Sequence, residues 1–448
     1  MMEVAVCLLI VILSNNKLKE GIKVPAFEKF NRINTSFYLY NHKIFTIGEK
    51  ANNTYHMNRI INILILVFIF TISSCSQAQI KIKGKPKIIE VAVNENIQYS
   101  LLDILKPEEF IPLETNENVV IAGIAKLKIS GNNFYIQDDQ TKTLFVFNQI
   151  GQFIRKIGKH GRGPTEYLSL TDFDIMQDDS KIAILDNYGK QILIYDKDGK
   201  YIDRIKHNLW INSVSCLPNN KYIVTCTNNP NIDFYCNMFI INQKGDVIEN
   251  LFPYPEELNA LNFGLNNYFL KFNNELCFHF PFNDTLYSIS GKDITRKYAF
   301  DFGSNKISKK YLLNNFTGSM MTFIEKISKT NKILLFNTFI ETDEYLYFDY
   351  FQRGKIGQHV FYSKKTGNIK QYNQVNLHGF FKVFDILATQ QDYLIGLIYP
   401  AYKDMYLKNL KNLKDKYDQD DYDSLEKICR QMKVSDNPIL IRFKVRPF

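Results

Sequence analysis

Short apolar runs separated by polar turns recur along most of the chain, and two copies align without a gap at an offset of 48 residues. Residues 134–157 read FYIQDDQTKTLFVFNQIGQFIRKI, and residues 182–205 read IAILDNYGKQILIYDKDGKYIDRI. Self-similarity at a fixed spacing is typical of repeat architectures. The offset therefore predicts a fold built from several copies of one unit.

Each unit reads as three short strands joined by two turns. The first strand ends at Asp138 or Asp186, and the turn after the second strand contains Gly151 or Gly199. Glycine suits such a turn because it adopts positive φ without a steric cost. The sequence Asp-Lys-Asp-Gly at 196–199 lies between two alternating runs, which predicts a hairpin there.

Four weaker copies of the unit follow. Three of them carry a turn glycine, at Gly245, Gly291 and Gly367, and the sixth begins at Asp385 and resumes at residues 437–445. Repeats of about 40–50 residues with several strands each are typical of β-propellers. The pattern predicts an all-β, six-bladed β-propeller of four-stranded blades, with a solenoid as the alternative.

The predicted ring is closed by strands from both ends of the chain. We expect residues 88–93 to complete the last blade beside residues 439–445, because this pairing leaves no open strand edge. Residues 402–434 interrupt the last unit with apolar side chains at helical spacing. They predict a short helical insert that covers part of the propeller, and a partner-binding amphipathic helix is the alternative.

Residues 57–75, MNRIINILILVFIFTISSC, have the features of a lipoprotein signal peptide. Arg59 supplies a positive charge, an apolar segment follows, and two serines precede Cys75. The apolar segment has about thirteen residues, whereas a transmembrane helix needs ~20. The pattern predicts export, cleavage and lipidation of Cys75.

The signal divides the chain into four parts. Residues 1–56 are interpreted as an upstream extension assigned by mistake, and a genuine extension is the alternative. Residues 76–87 form a tether, and residues 88–448 form the propeller. The residues directly after Cys75 lack an acidic cluster. We therefore expect an outer-membrane lipoprotein of a Gram-negative cell envelope, on the periplasmic face rather than the surface.

Composition excludes few classes of function. From Cys75 onward the chain has 47 Lys and Arg against 42 Asp and Glu, a small excess that is spread along the sequence and gives nucleic-acid binding little support. Five cysteines follow Cys75. Cys226 and Cys236 flank a polar connection and could form a disulfide in an oxidising compartment, although buried free thiols are favoured.

Four segments carry a family resemblance: GKHGRGPTEYLSLTDFDI at 158–175, FIPLET at 110–115, PFNDTLYSI at 281–289 and DNPILIRFKV at 436–445. Together they resemble a largely uncharacterised family of six-bladed β-propeller lipoproteins that is distantly similar to NHL-repeat propellers. The resemblance covers residue 88 to the C-terminus. It implies the propeller fold and no catalytic residues. Thr165 stands where that family usually has a glycine after the proline.

Candidate catalytic and metal-binding motifs are weak. The segment with Gly161 and Gly163 lacks the pattern of a phosphate-binding loop and predicts a sharp turn between blades. The histidines and cysteines do not have the spacing of a zinc site, and no serine-hydrolase elbow occurs. Acids that end strands, such as Asp138, Asp186 and Asp284, are interpreted as turn caps rather than calcium ligands. The sequence therefore assigns no catalytic, cofactor-binding or metal-binding residue.

Two functions follow from this pattern. The favoured one is a binding module that is attached to a membrane by lipid and binds a protein, peptide or glycan. The alternative is a calcium-dependent, lactonase-like hydrolase or lyase with its site in the central channel. Convergence of three or more Asp, Asn or Glu side chains on the propeller axis would favour the enzyme.

Overall fold

The computed structural model describes residues 82–93, 101–176, 178–228, 235–265, 268–273, 275–290, 293–352, 355–373, 386–410, 414 and 418–448. The chain divides into two units, Met1–Ala78 and Gln79–Phe448, and every described residue lies in the second. The proposed extension 1–56, the signal 57–75 with Cys75, the turn glycine Gly291 and the unit start Asp385 lie outside the described residues.

Six antiparallel four-stranded sheets form the blades of a propeller, which confirms the predicted fold class. From the innermost strand outward, blade 1 is Ile124–Ser130, Asn133–Asp138, Thr143–Asn148 and Phe153–Ile157, and blade 2 is Asp172–Ile175, Lys181–Asp186, Gln191–Asp196 and Tyr201–Lys206. Blade 3 is Ser213–Leu217, Lys221–Thr225, Cys236–Ile241 and Val247–Pro253. Blade 4 is Phe269–Phe272, Glu275–Phe278, Thr285–Ser290 and Asp293–Asp301. Blade 5 is Ile333–Glu341, Tyr345–Gln352, Lys355–Ser363 and Ile369–Asn373, and blade 6 is Ala388–Gln390, Tyr393–Ile398, Ile439–Val445 and Leu105–Pro112.

Both ends of the chain contribute to blade 6, as predicted, but the N-terminal strand is not the one expected. Leu105–Pro112 pairs with Ile439–Val445, with Ile111 opposite Leu440. The prediction that 88–93 lies there is wrong. Lys87–Glu90 instead pairs in parallel with Asp293–Asp301 on the outer edge of blade 4, and Ile82–Lys83 extends the same edge. An apolar run identifies a strand but does not identify its partner.

The turn chemistry of the repeat follows the sequence. Gly151 and Gly199 both have φ of 84°, and Lys142 and Lys190 occupy the left-handed region in the preceding turns. A Cβ on Gly151 would collide with the carbonyl oxygen of Pro112 in blade 6. Gly151 is therefore required both by its backbone conformation and by its close approach to the closing strand.

Apolar clusters fill the spaces between successive blades, and the helical insert adds to one of them. Lys403–Leu410 and Gln419–Gln431 pack against the core between blades 5 and 6, where Tyr406, Leu425 and Cys429 are buried. This confirms the predicted insert in the last blade. Further helices are Leu101–Ile104, Lys309–Asn315 and Met320–Ser328, with 3₁₀ turns at Glu256–Leu258, Gly303–Asn305 and Pro400–Tyr402. Within the described part of the chain, no helix has the length and apolarity needed to cross a bilayer.

The two faces of the propeller differ in the length of their connections. On one face, here the short-turn face, strands are joined by turns of at most five residues, such as 364–368. On the other, the long-connection face, they are joined by segments such as 158–171, 302–332 and 399–438, which include most of the helices. The cysteines after Cys75, including Cys226 and Cys236, are buried free thiols, which is the state the sequence favoured.

Candidate functional site

Charged side chains of the innermost strands meet at the centre of the propeller. Blade 1 contributes Lys126 and Lys128, and blade 2 contributes Asp172 and Asp174. In a strand, residues two apart lie on the same face. Two levels of ion pairs, one above the other, therefore join blade 1 to blade 2.

The first level is centred on Asp172, whose side chain is 3% exposed. Its carboxylate pairs with the ammonium of Lys126 and accepts a hydrogen bond from the Ser213 hydroxyl of blade 3. It also accepts a hydrogen bond from the backbone N–H of Val214 at 3.0 Å. One carboxylate thus connects three successive blades.

The second level repeats this arrangement around Asp174. Its carboxylate lies 2.6 Å from Lys128 Nζ and accepts hydrogen bonds from Ser215 Oγ at 2.8 Å and from the N–H of Cys216 at 2.7 Å. Lys271 of blade 4 adds a second ammonium at 2.8 Å. Asp174 is therefore joined to blades 1, 3 and 4.

The reason for these contacts lies in the edge of each sheet. The innermost strand of a blade has no neighbour toward the axis, so alternate backbone N–H groups have no strand partner. Asp172 and Asp174 accept from two such groups in blade 3, at Val214 and Cys216. The carboxylates thereby satisfy backbone donors that a further strand would otherwise pair.

Lys271 reaches across the channel. It belongs to blade 4, yet its ammonium contacts the Ile175 carbonyl and the Asp174 carboxylate of blade 2, past the intervening blade 3. Its side chain is 34% exposed, whereas that of Asp174 is 1% exposed. The channel at this level is thus occupied by the protein's own side chains.

Burial and charge change the titration of this cluster in opposite directions. Burial tends to raise the pKa of Asp174, but the adjacent Lys128 and Lys271 outweigh it and hold that pKa far below its usual range. Burial lowers the pKa of Lys126, and Asp172 offsets this effect only in part. Asp174 is therefore an anion bound by lysines at neutral pH.

A second buried cluster joins blades 4 and 5 near the short-turn face. Glu341, which is 1% exposed, lies 2.9 Å from Lys297 Nζ and 2.7 Å from Lys364 Nζ. The Tyr298 hydroxyl donates to Glu341 Oε1 at 3.0 Å. Both lysines also lie over the Phe272 ring. This glutamate, like Asp174, is surrounded by cations of its own protein.

Asp138 and Asp186, two of the three acids predicted to end strands, act as turn caps, whereas the third, Asp284, precedes the strand Thr285–Ser290. Asp138 accepts backbone hydrogen bonds from Ala122, Gln140 and Thr141. Asp186 accepts backbone hydrogen bonds from Leu168, Ser169 and Gly189. Among the described residues, no three His, Cys, Asp or Glu side chains are grouped so that they could hold a metal ion. Asp284 pairs with Lys306.

The glycine-rich segment forms a turn between blades 1 and 2. Glu166 accepts a hydrogen bond from the N–H of Gly163 at 2.8 Å, and Gly161 N–H donates to the Tyr167 carbonyl at 3.0 Å. Tyr195 Oη donates to the Thr165 carbonyl, which binds the turn to blade 2. Acceptors within the segment therefore occupy the N–H groups of Gly161 and Gly163, in agreement with the structural role predicted for the segment.

Exposed apolar side chains are concentrated on the long-connection face. Ten large apolar side chains among the described residues are exposed, and seven lie in connections of this face. The seven are Val120, Leu168, Tyr188, Leu313, Met321, Tyr402 and Val434. Ile150 and Ile202 lie toward the short-turn face instead, and Ile88 lies on the outer edge of blade 4.

The largest exposed ring belongs to an aromatic patch on blade 2, defined by Leu168, Tyr188 and Trp210. Tyr188 is 72% exposed and meets the half-buried Trp210 edge to face, with 6.1 Å between ring centroids. Lys190 Nζ lies 4.6 Å from the Trp210 centroid. The backbone N–H groups of Leu168 and Tyr188 donate to the side chains of Asp186 and Ser169, which joins the two connections that carry them. The patch is an aromatic surface with one cation at its side.

Sequence reasoning did not identify the charged network or the aromatic patch. The network has a local signal, since Lys126 and Lys128, and likewise Asp172 and Asp174, are charges two apart within apolar strands. The patch has none, because Tyr188 and Trp210 belong to different connections that only the fold brings together.

The chain matches one sequence family and resembles solved structures of bacterial proteins. Residues 86–444 match the sequence model of a family described as a domain of unknown function, DUF4934. The chain is similar to the solved structure of a Bacteroides fragilis protein that is described as an exported protein by assignment. The two share 18% identity and a TM-score of 0.67, and the match covers 81% of this chain and 100% of that one. It is also similar to a member of the DUF4221 family from Bacteroides vulgatus, with 12% identity, a TM-score of 0.47 and coverage of 78% and 100%. No curated protein matches the chain.

Proposed function

This chain belongs to the DUF4934 family, and we propose that it is an exported, lipid-anchored β-propeller that binds a protein, peptide or glycan in the cell envelope. Export is supported by the signal-like segment 57–75 and by the expected export of the similar Bacteroides fragilis protein. Lipid on Cys75 would keep the propeller at the membrane. The proposed location is the periplasmic face of the outer membrane.

The aromatic patch on blade 2 is the observation that carries the binding function. Exposed apolar side chains in a contiguous patch are typical of interaction surfaces, whereas scattered ones are not. Tyrosine and tryptophan contribute a large contact area with little loss of side-chain freedom. We therefore assign ligand binding to the long-connection face, with Tyr188 as its centre.

The channel favours binding over catalysis. Asp172 and Asp174 each hold a lysine, a serine hydroxyl and a backbone N–H, so their oxygens are already engaged within the protein. A hydrolase of the calcium type uses such oxygens to hold its metal ion. The alternative function therefore lacks a supporting arrangement in the described channel residues.

Cross-linking in intact envelopes tests this function. The tagged full-length protein is cross-linked, purified and compared with a Tyr188→Ser variant. Ile150→Ser is the matched control, because Ile150 is exposed to a similar degree but lies on the short-turn face. We expect a cross-linked species that Tyr188→Ser weakens at least tenfold and Ile150→Ser preserves. Equal loss in both variants, or equal retention, would contradict the assignment to this face.

A further inference from the structure

We propose that the lysine-rich segment at the start of the propeller, here the basic edge with Lys83, Lys85 and Lys87, contacts anionic lipid headgroups of the membrane. The inference rests on the proposed lipidation of Cys75, because the lipid places this segment at the bilayer. It adds a second membrane contact, on the outer edge of blade 4.

The position of the basic edge follows from strand direction. Asp293–Asp301 starts directly after a turn of the short-turn face and runs toward the long-connection face. The N-terminal strands run parallel to it, with Ile82 opposite Ile294 and Glu90 opposite Asp301. The chain therefore joins the propeller at the rim of the short-turn face.

The distance from the proposed anchor is short. Six residues lie between Cys75 and Ile82, so seven Cα–Cα steps of at most about 3.6 Å join them, or roughly 25 Å in total. The short-turn rim of blade 4 must then lie within that distance of the lipid. The long-connection face, with its aromatic patch, lies at the opposite end of these strands from the point where the chain joins the propeller.

The charges of the basic edge are available to a partner. Lys83, Lys85 and Lys87 belong to exposed positions, and Lys81 precedes them in the sequence. Lys83 pairs with Asp293 at 2.8 Å, but both side chains are more than half exposed, so the pair is easily exchanged. The ammonium of Lys87 lies 5.1 Å from the Tyr362 ring centroid, which leaves its charge unneutralised.

Further groups at the same edge support a bilayer as the partner. Arg296 reaches the Gly84 carbonyl and places another cation beside the lysines. Ile88 of the same strand is 57% exposed and adds an apolar side chain to the outer edge of blade 4. Basic residues next to a lipid anchor bind anionic headgroups and add to the hold of the acyl chains on the membrane.

Vesicle binding by a protein that lacks the lipid-modified Cys75 tests the proposal. The unit Gln79–Phe448 contains all six blades and their cores, so a protein starting at Gln79 keeps the fold and lacks Cys75. Its sedimentation is measured with vesicles of phosphatidylcholine alone and with vesicles that also contain phosphatidylglycerol. We expect binding only to the anionic vesicles, with at least a tenfold loss in Lys83→Gln/Lys85→Gln/Lys87→Gln and a loss of binding at high salt.

A charge-matched variant provides the control. Lys309→Gln/Lys310→Gln/Lys326→Gln removes three exposed lysines from a connection of the long-connection face and should bind like the parent protein. Equal binding to neutral vesicles, or an equal loss in both triple variants, would overturn the proposal. The lipid itself is tested separately by labelling Cys75 in cells. If Cys75 carries lipid but the protein starting at Gln79 does not bind anionic vesicles, the basic-edge proposal is wrong and the proposed anchor is retained. If that protein binds anionic vesicles but Cys75 carries no lipid, only the proposed anchor is wrong.

Discussion

The ammonium of Lys271 in blade 4 lies 2.8 Å from the carboxylate of Asp174 in blade 2, so one ion pair spans the channel past blade 3. Asp174 also binds Lys128 of blade 1 and two donors of blade 3. A single buried carboxylate therefore holds four blades together. The rigidity of the ring at this level depends on a charge that only its own lysines neutralise.

Replacing that carboxylate should destabilise the whole propeller. Asp174→Ala leaves Lys128 buried without its carboxylate, and loss of one partner of a buried pair costs about 3–5 kcal/mol of unfolding free energy. Asp198→Ala is the control, because Asp198 forms its pair with Arg155 at the surface and should cost at most about 1 kcal/mol. Urea denaturation measures both. Similar losses for the two variants would show that Asp174 is not a central support.

Two buried histidines should make the fold sensitive to mild acid. Burial lowers the pKa of His359 to about 3 and that of His207 to about 4, against about 6.5 in the unfolded chain. Below pH ~6.5 the unfolded state binds protons that the native state does not. The free energy of unfolding therefore falls as the pH decreases from ~6.5 toward ~4, by about 1.4 kcal/mol per pH unit for each histidine. His359→Phe should reduce the slope measured by denaturation at several pH values, and an unchanged slope would refute the assignment.

Two glycines of equal conformation should respond differently to alanine. Gly151 and Gly367 both have positive φ, at 84° and 78°, so each substitution carries a backbone cost of about 1 kcal/mol. A Cβ at Gly151 also meets the Pro112 carbonyl of the closing strand, whereas one at Gly367 meets nothing within 4 Å. Thermal unfolding should show Gly151→Ala to be the less stable by a further ~1–3 kcal/mol. Equal melting temperatures would mean that the closing strand moves away from the new Cβ without loss of stability.

Removing the C-terminal strand should open the ring. A chain ending at 435 lacks Ile439–Val445, which pairs with Tyr393–Ile398 on one side and with Leu105–Pro112 on the other. The exposed strand edges should cause aggregation, measured by size-exclusion chromatography. A chain ending at 446 is the control, since it retains the complete strand. A monomeric 435 truncation with an unchanged melting temperature would contradict the closure.

The proposed anchor predicts the first residue of the mature protein. Mass spectrometry of the purified membrane form should find a lipid-modified Cys75 at the N-terminus. Cys75→Ala should leave an unprocessed or untethered protein, because the acyl chains supply ~0.8 kcal/mol per buried CH₂. Recovery of residues 1–56 on the mature protein would contradict both the signal peptide and the interpretation of this extension.

The repeat determines what the sequence could predict. Asp138 and Asp186 cap equivalent turns, and Gly151 and Gly199 share one φ value, since turn chemistry is local. The closing strand was missed because Pro107 and two successive glutamates interrupt LKPEEFIP, whereas residues 88–93, IIEVAV, form an apolar run broken only by Glu90. Pairing partners are set by the whole ring rather than by either segment.

The candidate site was harder to predict from the sequence, because its contacts too are set by the whole ring. Lys126 and Asp172 form strong local patterns, but nothing near them in the chain shows that they face each other across two blades. Tyr188 and Trp210 likewise become a patch only when two connections meet. Single side chains were visible in the sequence, whereas their convergence required the tertiary structure.

Blade 6 unites residues near the two ends of the chain, and this has a kinetic consequence. Leu105–Pro112 cannot form its strand pairing until Ile439–Val445 has been synthesised, more than three hundred residues later. Contacts so distant in sequence form slowly, because the entropy of loop closure is lost before they contribute any stability. During synthesis the first five blades are complete before the ring can close. Until then the unpaired edge of Leu105–Pro112 needs protection from neighbouring chains.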